Sequence, residues 1–152
     1  MAGDVRHGPQ GSHDSGTVDK CPFCDCVALR QGLLAVSNPR VAFYDAQPLN
    51  PGHVLIVPYR HEPDFLALLP DDRNATLRLA AELRSQLDEQ YRPDGFNLDA
   101  NVDKAGGQTI GHAHLHVIPR NWGDVSDPRG GIRCLIPERS RNWEADERGN
   151  QP

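Results

Sequence analysis

Seven histidines occur in 152 residues, and three of them fall in the run His112-Ala-His-Leu-His-Val-Ile118. Side chains on an extended strand alternate between faces, so His112, His114 and His116 are expected on one face, roughly 6.6–7 Å apart at each step. Ala113, Leu115 and Val117 then share the other face and can pack on a helix. A row of imidazoles on a rigid strand suits nucleophilic, acid–base or metal chemistry, because neutral imidazole offers a lone pair at one nitrogen and a donor at the other. The bland alternative is a solvent-facing polar strand, and strict alternation of three histidines is an unusual way to build one. A single ion held by all three is also disfavoured, since ligands strung along one strand converge only with help from other elements. Just upstream, Ala105-Gly-Gly-Gln-Thr109 could cradle an anion: consecutive glycines let backbone N–H groups form a nest, and Thr109 adds a hydroxyl donor. Alone, a Gly-Gly turn is more often an ordinary hairpin loop.

The cysteines lie at 21, 24, 26 and 134, three of them within six residues. This spacing makes a poor disulfide framework, and Cys21-Pro-Phe-Cys24 favours metal or redox chemistry instead. Cys26 is a rival ligand, but an i, i+2 pair seldom fits one ion. Cys134 reads as a buried or incidental thiol.

These residues must be positioned by a small fold. Arg40–Asp45 and His53–Pro58 read as strands, separated by turn chemistry at Pro48 and Asn50-Pro51-Gly52, and so form an antiparallel pair. Asp64–Leu69 suggests a short helical turn. Pro70 to about Tyr91 is the clearest helix: Asp71 and Asp72 open it, and Leu79, Leu83, Leu87 and Tyr91 recur every four residues as one apolar stripe. Phe96–Val102 alternates as a half-buried strand, and Thr109–Ile118 as another, closed by Pro119. The expected class is α+β, a mostly antiparallel sheet with one long helix and a short one. Residues 1–20 and 138–152 are polar and read as tails around one domain over 21–137.

Composition narrows the function. Twenty-one acidic against 16 basic residues give a formal net charge of -5, and the basic set is 14 Arg and 2 Lys, thinly spread. Binding nucleic acid through its phosphates calls for a basic face, so no nucleic-acid partner is expected. No run approaches the ~20 apolar residues of a membrane span, and the first twenty residues lack the apolar stretch of a signal peptide. A soluble, cytoplasmic protein without membrane partners is expected.

Gly106-Gly-Gln-Thr-Ile-Gly-His-Ala-His-Leu-His-Val-Ile118 resembles the signature of the histidine-triad (HIT) nucleotide hydrolases and transferases. Cys21-Pro-Phe-Cys24 resembles the N-terminus of their zinc-containing members, and Tyr44-Asp45 with Pro51–Pro58 resembles their first hairpin. Asn101 lies eleven residues before His112, where the family carries Asn or Gln. Pro128–Arg133 with Ile136-Pro137 resembles bacterial dinucleoside polyphosphate hydrolases less specifically.

The resemblance implies a HIT-like fold and a two-step transfer. His114 would attack the α-phosphorus of a nucleotide and form a nucleotidyl-histidine, which water then hydrolyses. His116 and His53 would bind phosphate and organise the nucleophile. Asn101, Gly107, Gln108 and Thr109 would hold phosphate oxygens, Asp45 the ribose, and Phe23, Cys26, Phe43 and Tyr44 the base. It also implies a structural zinc on Cys21, Cys24, His61 and His112, no organic cofactor, and a homodimer through the long helix, for which Leu77, Leu79, Leu83 and Leu87 supply a surplus of leucine. Without the family, His53 reads as a structural histidine, and Asp45 and Asn101 as turn or loop residues. The substrates implied are dinucleoside polyphosphates such as diadenosine tetraphosphate. Purine nucleoside phosphoramidates, a sugar-phosphate nucleotidyl transferase, and a nucleotide- or zinc-binding module with incidental turnover stay as alternatives.

Overall fold

The computed structural model describes residues 21–136 except Gln31 and Asn38. The expected tails therefore lie outside the described residues. Residues 21–120 form one unit and residues from 121 onward a second, and the candidate site belongs to the first.

Five strands and two helices build that unit: α1 Pro22–Leu29, β1 Leu33–Ser37, β2 Arg40–Tyr44, β3 Val54–Pro58, α2 Pro70–Tyr91, β4 Gly95–Asp99 and β5 Leu115–Arg120. The strands form one antiparallel sheet in the order β1-β2-β3-β5-β4. Alternation sorts their side chains into two cores. Ala42, Val54, Ile56, Leu115 and Val117 pack with Leu79, Ala80, Leu83 and Leu87 of α2. Val41, Phe43, Leu55 and Val57 pack on the opposite face with Cys21 and Phe23 at the start of α1. Each leucine so buried contributes about 1.5–3 kcal/mol relative to exposure.

The long helix begins at Pro70, where a missing N–H is harmless, with Asp71 and Asp72 in its first turn. Asp64 caps the expected short turn, which is a 3-10 turn at Phe65–Ala67, through its carboxylate on the Leu66 N–H. Between β2 and β3, Gly52 takes φ +85° against Tyr91, and a Cβ there would meet the Tyr91 ring at 2.8 Å. No residue but glycine suits that position.

Helix α1 and strand β1 lie where no element is expected from the sequence, and two strands are shorter than their patterns predict. Phe96–Val102 stops at Asp99, where pairing with β5 ends. Thr109–Ile118 becomes a strand only from Leu115 and continues through Pro119 to Arg120. The His112 N–H bonds the Ile110 carbonyl at 2.8 Å, and Ala113 N–H bonds Glu62 O. That tight turn beside Gly111 replaces strand pairing at His112, which stays on the α1 face with His114 and His116 while Ala113, Leu115 and Val117 face α2, as alternation predicts.

Arg40 straps the sheet to α2. Its guanidinium is 1% exposed; Nε donates to the Asp72 carbonyl and Thr76 Oγ1 at 2.9 Å, and Nη2 donates to Asp72 Oδ1 at 2.7 Å. Asp72→Ala would leave a buried cation without its counter-charge, while the two Nε bonds remain. The expected loss is about 2–3 kcal/mol, below the usual range for a broken buried pair because the Asp72 carboxylate is partly exposed. Urea unfolding checks this, and a change under about 0.5 kcal/mol contradicts it.

Candidate functional site

On the α1 face of the sheet a cavity of about 600 Å³ opens, a size suited to a small organic ligand. Phe23, Cys26, Phe43, Tyr44, Asp45, Thr109, His114 and His116 line it. Its apolar wall includes Phe23 and Phe43, with ring centroids 5.5 Å apart, and Leu55 and Ile110. Asp45, Thr109, His114 and His116 supply the polar groups, with His114 packed on Phe23. Asp45 is shaped by an Asx turn in which Oδ1 accepts from the Gln47 N–H at 2.8 Å.

Of the other sequence-predicted residues, His53 stands behind His116. Asn101 lies against Gly107, whose hypothetical Cβ would meet Asn101 Oδ1 at 3.6 Å. Gln108 braces its own loop: Nε2 donates to the Pro63 carbonyl at 2.7 Å and Oε1 accepts the Asp103 N–H at 3.1 Å. None of His53, Asn101, Gly107 and Gln108 lines the cavity. Conversely, Pro22, Gly32, Ala46, Gln47, Leu55 and Ile110 line it without having been foreseen. The available signal was adjacency, since Pro22, Ala46 and Ile110 each flank a candidate site residue and Gln47 lies two positions from Asp45.

Hydrogen bonds define the two cavity histidines. His114 Nδ1 donates to the His112 carbonyl at 2.7 Å; a carbonyl only accepts, so Nδ1 carries the proton and Nε2 the lone pair. His114 is 5% exposed, held between Phe23 and His116 at ring-centroid distances of 5.2 and 4.9 Å. His116 Nδ1 lies 2.9 Å from His53 Nε2, and His53 Nε2 is 3.5 Å from Asp45 Oδ2. Burial pushes His116 down to about 4, helped by His114 and His53. It also lowers His53, against the opposing pull of Asp45. Both rings are therefore neutral near pH 7.

This arrangement gives stability a pH dependence. In the unfolded chain His116 takes up its proton near 6.5, in the fold only near 4. Between those values the unfolded chain binds more protons, so stability falls as pH falls. The urea midpoint is expected to drop as pH is lowered from 6.5 towards 4. A midpoint flat across that window contradicts the burial of neutral His53 and His116.

His112 lies farther along the same face, outside the cavity. Its Nε2 donates to the Pro58 carbonyl at 3.0 Å, which leaves the Nδ1 lone pair pointing at Cys21 and Cys24, whose Sγ atoms lie 3.4 and 3.5 Å away. Cys24 Sγ is in turn 3.3 Å from His61 Nδ1. All four donor atoms lie within 4.8 Å of one another. A zinc tetrahedron with Zn–S of about 2.3 Å and Zn–N of about 2.05 Å has S···N edges near 3.5 Å, so this donor set fits the ion. The Pro58 carbonyl supplies the outer-shell acceptor that fixes a ligating imidazole. Burial holds His112 down to about 4, in the neutral form a ligand needs. Burial and then Cys21 push the Cys24 thiol up to about 11, so a cation is what would draw off its proton. Bound there, zinc would tie α1 to the segment before β5 and to His61 after β3. It would leave His114 unliganded.

A HIT domain model matches residues 32–123. An uncharacterised HIT-like protein of Saccharolobus solfataricus is 33% identical over 126 residues, covering 82% of this chain and 88% of its own length. The asymmetrical bis(5'-nucleosyl)-tetraphosphatase of Schizosaccharomyces pombe is 29% identical over 117 residues, 70% of this chain and 64% of that protein. Among solved structures, a Zn-bound histidine triad family protein from Mycobacterium smegmatis superposes with a TM-score of 0.65 at 26% identity, covering 84% of this chain and 98% of that one.

Proposed function

The chain belongs to the HIT domain family, and from that premise we propose that it hydrolyses nucleotides through a covalent nucleotidyl-histidine, with dinucleoside polyphosphates as substrates. The observation that carries this reading is the His114 geometry. Its proton is held at Nδ1 by the His112 carbonyl, so Nε2 is a lone pair at the wall of a nucleotide-sized cavity.

In the first step Nε2 of His114 attacks the α-phosphorus, and the bond from that phosphorus to the bridging oxygen breaks. The remaining polyphosphate leaves with the bonding pair. The Nδ1–H bond to the carbonyl stabilises the positive charge that the ring acquires. In the second step water attacks the same phosphorus, the P–N bond breaks, and nucleoside monophosphate departs while the water proton passes to solvent. His116 and Thr109 donate to phosphate oxygens as charge develops. Asp45 accepts from ribose hydroxyls, and the base sits among Phe23, Phe43, Tyr44 and Cys26. Asn101 and the Gly107–Gln108 backbone support the leaving group from the adjacent loop.

The tetraphosphatase among the relatives supports the polyphosphate substrate. Phosphoramidate hydrolysis uses the same residues with another leaving group, so diadenosine tetraphosphate and adenosine phosphoramidate are offered side by side. Cleavage of the first with kcat/KM at least tenfold higher, giving AMP and ATP, is expected. Preference for the phosphoramidate overturns the substrate, and cleavage of neither overturns the enzymatic reading in favour of a binding module.

The reading includes a structural zinc on Cys21, Cys24, His61 and His112 and a cytoplasmic location; no described helix is long and apolar enough to cross a membrane. It includes a homodimer, supported by β4 lying at the end of the sheet and by Leu77, 49% exposed. Leu79, Leu83 and Leu87 give it no support, because they are consumed by the chain's own core.

A further inference from the structure

Neutral histidine has two tautomers, and hydrogen bonds decide between them. The Leu49 backbone N–H donates to His53 Nδ1 at 3.2 Å. A backbone N–H can only donate, so His53 Nδ1 is bare and its proton sits on Nε2. That Nε2 faces His116 Nδ1 at 2.9 Å and must be the donor of the pair. His116 Nδ1 is then the acceptor, and its own proton is on Nε2. The same His53 N–H lies 3.5 Å from Asp45 Oδ2, a carboxylate that welcomes a donor and opposes the reversed arrangement.

We propose that the Leu49 N–H is the positioning group that sets the tautomers of His53 and His116, making His116 an Nε2–H donor at the cavity wall. The loop carrying it is braced independently. His53 N–H bonds the Asn50 carbonyl at 3.1 Å, Asp45 N–H bonds the His53 carbonyl at 2.9 Å, and Asn50 Nδ2 bonds the Pro119 carbonyl at 2.9 Å. The Leu49 side chain is 74% exposed, so the residue's contribution comes through its backbone. The catalytic consequence follows from complementary roles. His114 carries its proton on Nδ1 and offers a lone pair to phosphorus. His116, beside it, carries its proton on Nε2 and offers a donor to a phosphate oxygen. A reversed His116 would set a lone pair against an anion and repel it. Burial keeps both His53 and His116 neutral, so tautomer rather than charge distinguishes the two states.

The catalytic part rests on the hydrolase reading; the tautomers do not. They are read directly from 15N-resolved NMR of the histidine rings at pH 7 without nucleotide. Both His53 and His116 are expected as Nε2–H, and His116 observed as Nδ1–H overturns the inference whether or not the protein hydrolyses anything. Leu49→Pro removes the donor, and Leu49→Ala keeps it. For a folded Leu49→Pro protein, the expected result is a mixture of tautomers at His116 and a kcat lowered about tenfold, with KM within about twofold; Leu49→Ala matches the parent. Retention of parental tautomers in Leu49→Pro, or an equal loss in both variants, overturns the inference. Should Leu49→Pro not fold, the parent spectrum decides alone. Parental Nε2–H tautomers in a protein that cleaves no nucleotide would sink the hydrolase reading and leave the tautomer assignment standing.

Discussion

His114→Ala is expected to lose nucleotide hydrolysis by about 10⁴-fold or more in kcat/KM, while thermal stability changes by only a few degrees. The size follows from the role: removing the nucleophile removes both steps, and only the donors around the phosphate remain to assist direct attack by water. Binding of AMP should persist, because the Phe23–Phe43 wall of the cavity and Asp45 are untouched. His116→Ala should lose less, about 10²–10³-fold, the usual loss for one donor to a developing anion. Steady-state kinetics on the three proteins, with AMP affinity by calorimetry, checks the ordering. An alanine at 114 that kept more than about a hundredth of the activity would contradict covalent catalysis at this residue.

Removal of zinc is expected to have the largest effect on stability. Protein purified without added metal should carry close to one zinc per chain by elemental analysis, and chelation should lower Tm by roughly 10 °C or more. A structural zinc in an isolated finger is worth about 10–16 kcal/mol, but here two apolar cores hold the sheet without it, so only part of that is at stake. A loss of about 3 kcal/mol moves Tm by roughly 10 °C in a domain of this size. Cys24→Ser should reproduce the effect of chelation and show no further loss when chelator is added. Absence of metal together with an unchanged Tm sinks the four-ligand assignment.

How much was legible in the sequence depended on how local the signal was. The α2 helix was readable at its start and along its buried face, because Pro70 and the acidic first turn mark the one and the leucine period the other. The β2–β3 pair was readable because turn residues separate two short apolar runs. Helix α1 escaped because Cys21-Pro-Phe-Cys24 invites a motif reading, and eight residues are too few to show a period. Strand β1 was missed because Leu-Leu-Ala-Val-Ser carries no alternation and lies at the sheet edge with its side chains only partly buried.

The histidine row shows a finer limit. Alternation placed all three on one face, and they lie there, but pairing begins only at Leu115, and His112 at the start of the row meets the cysteines rather than the cavity. The donor set Cys21, Cys24, His61 and His112 followed from family resemblance, since no spacing rule links residues so far apart in the chain. Gln108, a phosphate ligand by family resemblance, has its amide bracing the loop, a contact between distant segments that no local pattern announces. Tautomers were beyond sequence altogether, because the Leu49 N–H is a backbone group that no residue type announces.

The proposed hydrolysis proceeds in two displacements at one phosphorus, with His114 as the first nucleophile. Stereochemistry tests it most directly. A dinucleoside polyphosphate made chiral at the α-phosphorus with sulfur and oxygen isotopes is cleaved, and the configuration of the released nucleotide is determined. Two in-line displacements predict overall retention. Inversion would mean that water attacks in a single step, and would contradict the account.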